Sequence, residues 1–175
     1  VFRGANFIHR RKIDAFDLVV GGNAFADQSY REGEEELWAR GYVNTRYRFK
    51  KIEGLTAGLN TTLMKTKGEW FFLWEDADSG AYSPQAGIDT HTTTISLYKT
   101  KKVNIDPYII YYTRNGIKQS LRNRFLNNTN INNTNQGSIA DYYYSEYQFQ
   151  KQDTNNMTFT AGVVTTYSDV ESQLY

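Results

Sequence analysis

The stretch LWARGYVNTRYRF, from Leu37 to Phe49, separates two chemistries by position. Its odd positions carry no charge, whereas its even positions include three arginines, Arg40, Arg46 and Arg48. Successive side chains of a strand point to opposite faces of the sheet, so one face of this strand is apolar and the other cationic. Three arginines on one face do not suit a packed core. The pattern is typical of the wall of a transmembrane β-barrel, where the apolar face meets lipid and the polar face a wet interior.

Composition also argues against an ordinary soluble core. The chain has 175 residues, enough for one domain, and contains 14 Tyr, 10 Phe, 3 Trp and 13 Gly but only 2 Pro. No run approaches the roughly 20 apolar residues of a membrane helix, so we expect neither a helical span nor a signal peptide. Barrel strands give a much weaker hydropathy signal than helices, so a membrane location stays open.

The net charge and the cysteine content restrict the partners and the chemistry that we expect. A net charge of +1, with basic residues dispersed along the chain, gives no reason to expect a nucleic-acid partner. The absence of Cys excludes disulfides and thiolate chemistry. Because the chain begins at Val1, already in a strand-like segment, and stops at Tyr175 without an obvious terminal device, we expect a piece of a longer protein or a processed chain.

Strand-like segments recur along the whole chain, separated by turn formers. We predict strands at 1–10, 14–25, 36–49, 55–67, 92–113, 117–127, 139–151 and 156–167. Short links are expected around Lys12 and at 51–54, 114–116 and 153–156, and long links at 26–35, 68–91 and 128–138. Short and long links alternate, which in an antiparallel meander places all short turns on one rim, as in outer-membrane barrels. The predicted fold is therefore all-β, an up-and-down meander of about eight strands.

Aromatic and lysine residues suggest how such strands would cross a bilayer. Aromatic residues of the apolar parity lie near the short turns: Tyr47, Phe49, Tyr111, Tyr147, Phe149 and Phe159. They would form an interfacial girdle at headgroup level, although β-propensity alone also enriches strands in aromatics. The two Lys-Thr-Lys stretches, 65–67 and 99–101, would mark where neighbouring strands leave the lipid on the long-loop side.

No catalytic constellation is apparent, and we predict no enzyme activity, cofactor or metal. His9 and His91 are far apart in sequence, with no carboxylate or second His at ligand spacing. The acidic run 75–80 lacks the pattern of a calcium loop, and the charge run 31–36 is interpreted as a solvated loop.

Two sets of residues are candidates for recognition. In the segment 68–91 the ligand-loop candidates combine aromatic rings with acids; alternatively, the rings only pack the loop or extend the strand. They are Trp70, Phe72, Trp74, Glu75, Asp76 and Tyr82. The second set consists of charged residues expected to face a lumen: Arg40, Arg46, Arg48, Asp106, Arg122 and Arg124.

Several phrases of the sequence resemble the barrel wall of TonB-dependent outer-membrane receptors of Bacteroidota. The resemblance rests on the segments 47–60, 71–74, 78–82, 103–108, 120–124 and 132–136. It implies a 22-stranded barrel closed by an N-terminal plug, which imports a scarce nutrient across the outer membrane of a Gram-negative bacterium with energy passed on by TonB. The 175 residues would then be a fragment of the barrel domain, without the plug.

The partners implied by the resemblance are outer-membrane lipid, the remainder of the barrel, the plug, the TonB complex acting through the plug, and an unknown nutrient. Two alternatives remain open. The chain could be a complete eight-stranded outer-membrane barrel, whose length fits. It could also be a soluble carbohydrate-binding β-sandwich, in which the aromatic loop binds sugar.

Overall fold

The computed structural model describes residues 1–76, 78, 82–89, 94–153 and 157–173. Eight antiparallel strands form one sheet, and each strand pairs with its neighbours in sequence, which confirms the predicted all-β meander. The strands are β1 (Phe2–Ile13), β2 (Phe16–Gln28), β3 (Glu35–Arg48), β4 (Leu55–Trp70), β5 (Ser96–Tyr112), β6 (Ile117–Asn132), β7 (Ser138–Gln152) and β8 (Thr158–Ser172). Within this described part, no helix is long and apolar enough to cross a membrane.

Most strand boundaries agree with the sequence to within a few residues, but three links do not. The first long link was predicted at 26–35 but is only 29–34, because 26–28 continue β2 and Glu35 begins β3. The first short link is not at Lys12, which lies within β1; the turn is at Asp14 and Ala15, where Asp14 takes a positive φ of 53°. The third long link was also wrong, because the asparagine-rich residues 128–132 continue β6 and only 133–137 connect it to β7. The asymmetry between the rims therefore depends mainly on a single long loop, 71–95.

The register divides the sheet into two faces that differ in chemistry. Residues directly opposite each other on paired strands share a face. The apolar face includes the row His9, Val20, Val43, Thr61, Ile105, Phe125, Tyr143 and Tyr167, one residue from each strand in order. The adjacent row on the polar face includes Asn44, Asn60 and Asp106. The parity of 37–49 thus extends across neighbouring strands.

Burial on the two faces is the reverse of that in a soluble protein. On the apolar face Leu63 is 54% exposed and Ile109 47%, whereas Asn60 and Asp106 on the polar face are half-buried. Among the described residues, the buried apolar side chains are limited to Ala15, Phe71, Pro84 and Ile95. The apolar face is therefore uncovered, and no second layer of the described chain packs on it.

The sheet has two open edges. β1 contacts only β2, and β8 contacts only β7, within the described ranges. Every residue of β1 and nearly every residue of β8 is exposed. A closed eight-stranded barrel requires these two strands to pair, so this arrangement does not correspond to that alternative.

Neighbouring short turns are linked by ion pairs, which places them on one rim. Lys50 of the second short turn pairs with Asp14 of the first, and this contact lowers the pKa of the Asp14 carboxyl and raises the pKa of the Lys50 ammonium. Arg114 of the third turn lies 2.6 Å from Glu53 of the second. These groups are exposed, so the pairs orient the turns more than they stabilise the fold.

Three tyrosine rings on the polar face cover glycines of the adjacent strand. The cross-strand pairs are Tyr42 with Gly21, Tyr108 with Gly58, and Tyr98 with Gly68. In each case a Cβ added to the glycine would overlap the end of the tyrosine ring. Gly leaves room for the ring, and the ring shields the backbone that Gly exposes, a known device for holding the register of a sheet.

Candidate functional site: the polar face and the long loop

The six charged residues predicted to face a lumen all lie on the polar face. Arg40, Arg46 and Arg48 come from β3, Asp106 from β5, and Arg122 and Arg124 from β6. Five of the six are ion-paired. For Arg40, no ion-pair partner is found among the described residues.

Asp17 of β2 accepts hydrogen bonds from two arginines of β3. Arg48 donates from both terminal nitrogens, at 2.5 Å to Oδ2 and 2.8 Å to Oδ1, and Arg46 donates from Nε at 2.7 Å. Asp17 and Arg46 are direct cross-strand partners, so the register itself brings them together. A two-pronged contact of this kind is among the stronger side-chain interactions and fixes the direction of both arginines.

A second group of charges lies on β5, β6 and β7. Arg124 donates to both oxygens of Asp106, at 2.8 and 2.9 Å, and Asn104 donates to Oδ2 at 2.8 Å. Arg122 lies 4.0 Å from Glu146, which also accepts a hydrogen bond from the Tyr144 hydroxyl. The charges around Asp17 and around Asp106 and Glu146 are therefore compensated, whereas Arg40 on the same face has no ion-pair partner among the described residues.

A groove of about 460 Å³ lies among the charges around Asp106. Its lining combines amide, carboxylate and guanidinium groups with tyrosine rings, including Asn60, Asp106, Arg124, Tyr108, Tyr142 and Tyr144. Such a lining suits a polar partner, either a small molecule or another protein segment, because it offers both donors and acceptors beside aromatic rings.

An aromatic row at the other end of the polar face was not anticipated from the sequence. The rings of Phe2 and Phe25 have centroids 4.6 Å apart, and those of Phe25 and Trp38 are 5.6 Å apart. Phe25 and Trp38 are cross-strand partners near the end that bears the long loop. The signal was present, since Phe25 and Trp38 have the same parity as the charged residues of their strands.

The ligand-loop candidates are largely exposed. Trp70 ends β4 and is 45% exposed, Phe72 is 74% exposed, Trp74 49% and Tyr82 58%. Glu75 and Asp76 are also exposed. The interpretation that these rings pack the loop is therefore not supported for Phe72, while Trp70 does extend its strand as the alternative proposed.

Packing of the loop depends instead on Phe71, which the sequence did not single out. Phe71 is 2% exposed, and the guanidinium of Arg31 lies 3.9 Å from its ring centre. Arg31 also donates to the Phe71 carbonyl at 3.1 Å and pairs with Glu34 at 3.3 Å. The charge run 31–36 was wrongly interpreted as only a solvated loop, because Arg31 clamps the long loop to the link 29–34.

Further contacts join the two loops into one unit. The Glu32 amide donates to the Tyr82 carbonyl at 2.7 Å, and the Ser83 hydroxyl donates to the Glu32 carboxylate at 3.0 Å. The Tyr30 and Tyr82 rings meet edge to face at 6.0 Å. The exposed aromatic rings therefore project from an anchored platform, an arrangement that suits capture of a ligand.

The predictions for His91 and for the acidic run 75–80 can be compared with the structure only in part. His91 and part of the acidic run 75–80 lie outside the described residues. Among the residues that are described, no three His, Asp or Glu side chains are grouped so that they could hold a metal ion. Comparison of the chain with protein-family models, curated proteins and solved structures found no match. Function must therefore be argued from the sheet and its loops.

Proposed function

We propose that the chain is part of the barrel wall of an outer-membrane receptor of the TonB-dependent type, which imports a scarce nutrient with TonB-derived energy. The observation that carries the proposal is a single meander whose apolar face is exposed and whose polar face is half-buried. Lipid is the solvent that favours an uncovered apolar sheet face, because water makes such a surface costly.

The open edges support a wall of more than eight strands. An unpaired strand edge presents a row of free N–H and C=O groups, and a membrane barrel satisfies them by closing on itself. β1 and β8 span 12 and 15 residues, long enough to pair with further strands along their whole length. Large receptors of the proposed type supply such strands on both sides.

The polar face supports a wide interior. A small barrel fills its interior with its own side chains, whereas a large one leaves a lumen that water or a plug can occupy. The groove beside Asp106 and the aromatic row around Phe25 leave polar and aromatic groups available to such an occupant. The proposed ligand is captured first by the exposed rings of the long loop.

A parity experiment tests the membrane assignment. Residues 1–175 contain no Cys, so once any cysteine outside this range is replaced by serine, single cysteines introduced on adjacent positions carry the spin label at those positions alone. On β3 the pair is Val43→Cys and Asn44→Cys, and on β4 it is Leu63→Cys and Thr62→Cys. The first member of each pair lies on the apolar face and the second on the polar face.

In lipid vesicles, we expect labels at 43 and 63 to collide with dissolved oxygen and to be shielded from a water-soluble nickel reagent. Labels at 44 and 62 should lack this lipid signature. All variants are made in the protein encoded by the complete reading frame, and their residue numbers refer to residues 1–175 of the sequence described above. Nickel access at 43 and 63 equal to that at 44 and 62, or a monodisperse fold in buffer without detergent, would refute the membrane wall.

The receptor assignment has a separate test, the coding sequence on either side of residues 1–175. We expect an upstream plug with a TonB-contact segment, together with further barrel strands. A reading frame limited to these eight strands would contradict a large receptor even if the parity experiment succeeded. In that case the complete small barrel would be the better explanation.

A further inference from the structure

We propose that four lysines on the apolar face, the Lys65 cluster, bind the phosphate groups of a membrane lipid at the end of the sheet that bears the long loop. The cluster consists of Lys65, Lys67, Lys99 and Lys101. The proposal rests on the membrane assignment of the proposed function and goes beyond it by naming a lipid site on the outside of the wall.

The register brings the four lysines together. Lys65 is the direct cross-strand partner of Lys101, and Lys67 of Lys99. All four are exposed. Like charges directly opposite each other destabilise a sheet, so two successive lysine pairs on β4 and β5 are an unfavourable arrangement unless an anion compensates them.

The chain itself provides little compensation. Lys67 lies 3.0 Å from Glu69 and 3.5 Å from Glu35. For Lys65, Lys99 and Lys101, the described residues form no ion pair. An exposed cluster with several uncompensated ammonium groups is complementary to a phosphorylated headgroup, which carries multiple negative charges and strong acceptor oxygens.

The surroundings favour a lipid over a free anion. A groove of about 440 Å³ contains the four lysines together with the apolar side chains of Leu37 and Ile131. A second groove of about 350 Å³ adjoins it and shares Lys65 and Lys101, but its other walls include Leu63 and Val103. The cationic site is therefore continuous with an aliphatic one.

Small residues leave this aliphatic groove open. Both grooves include Ala39, and the second includes Gly41, at which an added Cβ would meet no heavy atom within 4 Å. In the cross-strand row, Gly41 precedes Leu63 and Val103. An acyl chain lying over Gly41 would contact these aliphatic side chains while its phosphate reached the lysines, which a free phosphate ion cannot do.

The test measures binding of bisphosphorylated lipid A to the detergent-purified protein of the complete reading frame, by native mass spectrometry. The Lys65→Gln/Lys101→Gln variant should bind about 25-fold more weakly, since each lysine near an anionic lipid surface contributes roughly fivefold. Removing two repelling charges should not impair folding. Lys118→Gln is the control, because Lys118 lies on the polar face near the short-turn end of β6 and outside both grooves, and it should bind as the unmodified protein does.

Two further binding measurements distinguish a lipid phosphate from a free phosphate ion. Dephosphorylated lipid A should bind weakly to the unmodified protein, and inorganic phosphate should not compete at concentrations comparable with those of the lipid. Unchanged binding by the double variant, equal loss in Lys118→Gln, or effective competition by inorganic phosphate would each overturn the lipid site. If the spin labels still report lipid at 43 and 63, the membrane wall survives such a failure; if they report water, both proposals fall.

Discussion

Replacing Gly68 by alanine would place a methyl group where the Tyr98 ring already lies. Gly68 is buried, and the three atoms nearest to a Cβ built on it all belong to the end of that ring. The ring must leave its rotamer or the strands must separate, because the two residues are direct cross-strand partners. Forcing an extra carbon into a packed site costs about 1–3 kcal/mol, so we expect the free energy of unfolding to fall by about 2 kcal/mol.

The assay is urea unfolding of the complete protein in lipid vesicles, followed by circular dichroism. With a slope of about 2 kcal/mol per molar urea, the expected loss lowers the midpoint by about 1 M. Gly41→Ala is the matched control, because a Cβ at Gly41 meets no heavy atom within 4 Å. Alanine is favoured over glycine in a strand by roughly 0.5–1 kcal/mol, so this control should be neutral or slightly stabilising.

A third variant distinguishes ring overlap from a general intolerance of β4 to substitution. Truncating the ring with Tyr98→Ala should remove the penalty of Gly68→Ala, so the double variant should be more stable than the sum of the single effects by about 1 kcal/mol or more. Additive effects of Gly68→Ala and Tyr98→Ala, or an equal loss of unfolding free energy in Gly41→Ala and Gly68→Ala, would refute the reasoning that the Tyr98 ring packs directly on Gly68.

The ion pairs and the loop give two further predictions. Asp17→Asn should lower the urea midpoint in the same assay, because it weakens the two-pronged contact with Arg48. The shift should be smaller than that of Gly68→Ala, since the contact is partly exposed and therefore screened. Asp27→Asn on the same strand and face is the control, and equal shifts of the midpoint in the two variants would contradict the assignment. Phe71→Ala should speed proteolytic cleavage of the long loop severalfold, because the Phe71 ring is buried. Phe72→Ala should leave the cleavage rate unchanged, because that ring is 74% exposed. Faster cleavage in Phe72→Ala than in Phe71→Ala would show that Phe71 is not the residue that anchors the loop.

The alternation of polar and apolar residues predicted the two faces of the sheet, because the direction of each side chain depends only on the local geometry of the strand. A strand must turn every second side chain to the same face, so the parity of 37–49 was sufficient to place Arg40, Arg46 and Arg48 together. The pairing order followed from the turn formers between the strands. The same reasoning could not identify the partner of Arg46 and Arg48, because Asp17 comes close to them only through the register of β2 against β3.

Strand ends were less predictable, since propensity there competes with pairing. Asparagine disfavours strands, so residues 128–132 were expected to form a loop. Asn128 and Asn130, however, have partners on both β5 and β7, and the gain of two ladders of backbone hydrogen bonds outweighs a weak local preference. The error at Lys12 is similar, because the chain turns two residues later, at Asp14.

The long loop illustrates a different limit. Phe71 and Phe72 are identical side chains at consecutive positions, yet one is buried and the other exposed. The difference arises from Arg31, forty positions away, which contacts both the ring and the carbonyl of Phe71. No local pattern carries this information, so the sequence could identify an aromatic loop but not which ring anchors it.

The uncharged part of the apolar face has the length expected for a crossing of the hydrocarbon. On β4 it runs from Leu55 to Leu63 and ends at Lys65; on β5 it runs from Val103 to Tyr111 after Lys101. Each stretch contains nine residues by its numbering, and tilted barrel strands need about 9–11. The lysines thus begin where the apolar band stops, and the short-turn aromatics close its other end. A bilayer that fits between these limits would place the Lys65 cluster at the depth of the headgroups, where a lipid phosphate can reach it.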